Sequence, residues 1–120
     1  MRKARLVAVV AGIVVAGPAL GHARLLGTSP PADAHLQAAP KSLTLNFNEN
    51  ARLAVLTLTA GGGMVIPVAV DRSAPAAREI TVPLPVLAVG TYQVQWSALS
   101  PADGHVTKGT FSFSIVGPPR

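Results

Sequence analysis

Three residues have the types and positions to bind a metal ion: His22, Asp103 and His105. In "SPADGHVTKG", Asp103 and His105 stand at i and i+2 on either side of Gly104. On an extended chain, side chains two residues apart project from the same face. A carboxylate and an imidazole placed this way can clamp Cu(II) or Zn(II), and the glycine between them allows close backbone approach. The same letters also describe a turn aspartate followed by an exposed histidine. The motif by itself leaves both readings open.

His22 stands in "ALGHARL", just past a long apolar run. Arg2, Lys3 and Arg5 give a basic start, "LVAVVAGIVVA" follows without charge, and small residues occupy Ala19 and Gly21. This is the layout of a cleavable secretory signal, with the cut after Gly21. The apolar run is about half of the ~20 residues that a membrane-spanning helix requires, which argues against an uncleaved anchor. The expected organisation is a signal peptide over 1–21 and one domain over 22–120, placed in the periplasm or otherwise outside the cytoplasm. Processing would change the chemistry of His22. Its freed α-amine and imidazole Nδ1 can close a six-membered chelate ring. An amine with an ordinary pKa of ~8 can lose its proton to copper near neutrality. In the precursor that nitrogen is an amide and the chelate does not exist.

Composition narrows the remaining chemistry. The 120-residue chain has no Cys, so it has no disulfide, thiolate metal site, cysteine nucleophile or cysteine-linked lipid. Of its ten Lys and Arg, three precede residue 22, leaving seven against five Asp and Glu. The mature chain is therefore close to neutral, and no basic cluster marks it for nucleic acid. A core of this size can stand without cross-links.

The elements that must position the three candidates read as strands. "SLTLNFN" puts Leu43, Leu45 and Phe47 on one face. "TYQVQWSA" does the same with Tyr92, Val94 and Trp96, and "TFSFSIV" with Phe111, Phe113 and Ile115. Period-two alternation marks strands with one face on a core. "ARLLGTS", "AVLTLT", "MVIPVAV" and "REITVPL" are further candidates, with Pro67 and Pro83 confining theirs to edges. "SPPAD", "AAPK", "AGGG", "DRSAPAA" and "SPADG" punctuate them as turns. About seven short strands in this length predict an all-β, immunoglobulin-like Greek-key β-sandwich or barrel. His35, in "PPADAHLQAAP", is expected in a solvent-exposed loop.

The segments "HARLLGTSPPADAHLQAAPKSLTLNFNEN" and "GTYQVQWSALSPADGHVTKGTFSFSIV", with a mature terminus that begins on His, resemble the CopC/PcoC family of exported copper-binding proteins. The resemblance spans essentially the whole mature chain. It implies a Greek-key β-barrel or sandwich and a Cu(II) ligand set of His22 (amine and imidazole), Asp103 and His105. It also matches the family's acidic residue to Glu49 of "NFNEN", expected near the metal as an outer hydrogen-bond partner or a weak ligand. Some family members carry a Met-rich Cu(I) site. Here the corresponding stretch holds only Met64, and one thioether does not make a Cu(I) site, so the chain resembles a Cu(II)-only type.

The expected function is chelation of one Cu(II) for copper resistance or homeostasis by a non-enzymatic monomer. The resemblance implies handover to a membrane copper transporter of the CopD type. A copper monooxygenase also uses an N-terminal His, but it needs a broad substrate face. Three Phe, one Trp and one Tyr offer little of that. A metal-free immunoglobulin-like interaction module is the third reading.

Overall fold

The computed structural model describes residues 23–118. They form seven strands: β1 (Leu25–Ser29), β2 (Ala34–Leu36), β3 (Ser42–Ala60), β4 (Val65–Ile66), β5 (Ala77–Pro83), β6 (Gly90–Leu99) and β7 (Val106–Ile115). The all-β sandwich expected from the alternation is present. No helix among the described residues is long and apolar enough to cross a membrane.

The strand list differs from expectation in three places. "SLTLNFN" and "AVLTLT" are parts of one 19-residue strand, β3. Its first half pairs antiparallel with β1 and β5, and its second half with β4 and β6. Beyond β6 come β7 and then β2, which runs parallel to β7 with His35 opposite Ser114. His35 is exposed as expected, but it lies on this short edge strand rather than in a loop. The "MVIPVAV" segment contributes only the two residues of β4 before Pro67.

A bulge explains how β3 serves two sheets. Leu53 faces Ala98 and Val55 faces Ser97, so Ala54 is an extra residue. One extra residue moves the inward set by one position. Leu43, Leu45, Phe47, Ala51 and Leu53 are buried before it, and Leu56 and Leu58 after it. A bulge also leaves a carbonyl without its ladder partner. Arg72 Nε donates to Ala54 O at 2.8 Å.

The core lies between the two sheets. Leu43, Leu45 and Val82 pack with Leu58, Val94, Phe113 and Ile115. Phe47 meets Trp96 edge-on at 5.5 Å between centroids, and Tyr92 stacks on Phe113 at 5.6 Å. The Tyr92 hydroxyl donates to Ala88 O at 2.6 Å, the backbone anchor known as a tyrosine corner in immunoglobulin-like sandwiches.

Trp96 needs a glycine opposite it. It pairs with Gly109 across β6 and β7. A Cβ added at Gly109 would stand 3.1 Å from Cζ2 and Nε1 of the indole. Gly109→Ala is therefore expected to displace the ring and cost about 1–3 kcal/mol. Urea unfolding followed by fluorescence checks this, since Trp96 is the only tryptophan of the chain. Unchanged stability and emission would contradict the packing.

Candidate metal centre

Residues 100–105 join β6 to β7 just beyond the last pair, Leu99 with Val106. Ser100 holds the loop at both ends. Its N–H donates to His105 O at 2.9 Å, and its O accepts from Gly104 N–H at 2.8 Å. Gly104 takes φ +75°, a left-handed turn that favours glycine.

This turn brings Asp103 and His105 together, and it does so differently from the extended geometry expected. Asp103 Oδ1 accepts the His105 backbone N–H at 3.0 Å, while Oδ2 lies 3.0 Å from His105 Nδ1. The pairing is an aspartate folded back on its own chain, not alternation along a strand. The His105 side chain is 59% exposed. Asp103 titrates below its ordinary value. The His105 backbone N–H is the main cause. The His105 ring and the Ser100 hydroxyl act in the same direction, against partial desolvation.

Glu49 reaches the loop through Ser100. The Ser100 side chain is fully buried, and its Oγ donates to Glu49 Oε2 at 2.9 Å. Ser100 therefore engages both acidic residues of this end, Glu49 and Asp103. Its part in the geometry was not read from sequence. A serine three residues before the aspartate was the only available signal.

The N-terminal strand enters at the same end. Asn48 Oδ1 accepts Arg24 N–H at 2.6 Å, and Asn48 N–H donates to Arg24 O at 3.0 Å. Thr107 Oγ1 donates to Ala23 O at 2.9 Å, and Ala23 is fully buried. His22 and the expected signal over 1–21 lie outside the described residues. Among the described residues, no group of three or more His, Cys, Asp and Glu could hold a metal; Asp103 and His105 form a pair.

The residues matched by one family model run from 25 to 116, and the model describes the CopC domain. The chain belongs to the CopC family. It is 37% identical over 112 residues to copper resistance protein C of Escherichia coli, covering 84% of this chain and 86% of that protein. With copper resistance protein C of Pseudomonas syringae pv. tomato it shares 32% over 114 residues, covering 88% and 89%. The solved structure of CopC from Methylosinus trichosporium OB3b superposes with a TM-score of 0.69 at 30% identity, covering 82% of this chain and 98% of that one.

Within this CopC fold, Met64 is far from the pair. It is 68% exposed in a cleft that also includes Gly90 and Tyr92, at the start of β6. Asp103 and His105 follow the end of that ten-residue strand, about 30 Å away along it. Met64 is thus placed in a loop, separate from the other candidates.

Removing the Ser100 hydroxyl tests the loop. Ser100→Ala is expected to lower unfolding stability by about 1–3 kcal/mol, since Glu49 loses a largely enclosed donor. It should also raise the Asp103 carboxyl toward its ordinary value in an NMR titration. An Ala variant with neither change would show that the loop does not depend on this hydroxyl.

Proposed function

We propose that the processed chain, His22–Arg120, is an exported Cu(II)-binding protein of copper resistance. Its ligands are the His22 amine and imidazole, the Asp103 carboxylate and the His105 imidazole. Glu49 stands behind them through Ser100. Export follows from the signal-like segment over 1–21 and puts the protein in the periplasm or on the outer side of a single membrane. A CopD-type membrane transporter is the proposed recipient.

The observation that supports this reading is the Asp103–His105 pair on the approach to β7, the strand whose Thr107 holds the N-terminal chain at Ala23. Two donors at right angles on a metal ion, each ~2.0 Å from it, lie ~2.8 Å apart. The facing Asp103 and His105 atoms stand 3.0 Å apart. A Cu(II) ion that displaces the proton between them needs little rearrangement of the turn. Ala23 is held to Thr107, two residues beyond His105, so the preceding residue is one Cα step of ~3.8 Å from a fixed point. Its relatives support copper resistance as the role: two are copper resistance proteins, and another solved neighbour is PcoC, a copper resistance protein of Escherichia coli. Nitrogen and oxygen donors favour Cu(II), and a lone distant thioether does not favour Cu(I).

A copper titration of the processed protein is expected to reach one Cu(II) per chain. Acetylation of the His22 amine turns it into an amide and should weaken binding by on the order of a hundredfold. Equal affinity with and without the acetyl group would remove the amine from the ligand set.

Binding should also weaken as pH falls from 7.5 to 5, because protons compete with copper for nitrogen lone pairs. Asp103 contributes little to that loss. Its folded value lies below the ordinary carboxylate value, so it is fully ionised above that range and protonates only at lower pH. Chelator-competition measurements across this interval check the slope, and a flat affinity would contradict the nitrogen ligands.

A further inference from the structure

We propose that Thr107 and Asn48 are positioning residues that seat the processed N-terminus beside Asp103 and His105 before copper arrives; this rests on the ligand set proposed above.

β1 runs antiparallel to β3 with Leu25 opposite Phe47. One residue earlier, Arg24 is held from both sides by Asn48: its N–H by the side-chain oxygen and its carbonyl by the backbone N–H. From the other sheet, Thr107 on β7 donates its hydroxyl to the Ala23 carbonyl across 84 positions of sequence. Three hydrogen bonds therefore fall on the main chain of two consecutive residues, and they come from both sheets.

All three bonds are to backbone groups. They specify where the chain lies, not which side chains it carries. β1 is already paired with β3 over four positions, so the strand does not depend on them for its place in the sheet. What they add is a fixed entry for the segment immediately before Leu25. A terminal chelate on a loose chain must lose its conformational freedom when it closes on a metal, and an anchored one has lost most of it beforehand. Thr107 is also two residues past His105, about 7 Å along an extended chain. The anchor and the proposed ligand thus share one short stretch of β7 and its approach.

A double-mutant cycle tests the role. Four proteins are compared: the mature chain beginning at His22, the same chain acetylated at the His22 amine, and Thr107→Val in each. Cu(II) affinity is measured by chelator competition, and the copper donor set by electron paramagnetic resonance. In the mature chain Thr107→Val is expected to weaken binding about tenfold, the equilibrium equivalent of one lost hydrogen bond, with the nitrogen signature retained at saturation. In the acetylated chain, where the amine cannot bind, the same substitution should change affinity less than about twofold. Thr107→Ser, which keeps the hydroxyl, should restore the mature affinity.

Equal losses in both backgrounds, or none in the mature chain, would overturn the positioning role while leaving the ligand set intact. If acetylation itself costs nothing, the amine is not a ligand, and both its place in the ligand set and the positioning role fall. Asn48→Ala is a second, independent arm with the same expected pattern, and it carries the test if Thr107→Val does not fold. Trp96 fluorescence reports folding in every variant.

Discussion

The hydrogen-bond ladder of β3 passes from one sheet into the other, and the arrangement of the molecule follows from that passage. Its first half lies between β1 and β5 and its second half between β4 and β6. The two halves can both face the core only because Ala54 adds one residue and moves the inward set from Leu53 to Leu56. Between them the pairing with β5 breaks from Asn46 to Ala51. Around that break, Asn48 and Glu49 use side-chain groups to hold other segments: Arg24 in one case and Ser100 in the other. The candidate metal centre therefore gathers where the shared strand changes partners.

Much of the sandwich is visible in the alternation of β6 and β7. Tyr92, Val94 and Trp96, with Phe113 and Ile115, are the buried residues that a period of two selects. The unity of β3 is hidden by its bulge. Val55 is exposed and Leu56 buried, so no single alternation runs through "RLAVLTL". β2 is hidden for another reason: three residues between Pro-containing turns are too few to show a period, and its parallel pairing with β7 depends on contacts distant in sequence.

The candidate site was legible in its residue types and less so in its geometry. Asp103 and His105 meet, but through a turn closed by Ser100 and a left-handed Gly104. An i, i+2 spacing is compatible with either arrangement, and the glycine expected to allow close approach is what the left-handed turn requires. Glu49 joins through a serine 51 residues away, a relation set by the fold that no local pattern contains. The two acidic residues also serve different purposes. Asp103 is held ionised by donors of its own loop, whereas Glu49 braces that loop from the neighbouring strand. For the proposed cation this division would keep the reorganisation cost low, the usual advantage of a rigid binding element.

The exposure of His105 has a kinetic consequence. An ion taken by the proposed ligands would face solution on the His105 side, since that imidazole is exposed. Incoming donors from another molecule can then add to the ion while the old ones are still attached. Copper could pass by successive ligand substitution, without an aquated intermediate and without unfolding of the donor. A tightly held cargo can in this way remain quickly exchangeable, because the barrier to transfer is set by access to the open side and not by the full strength of the chelate.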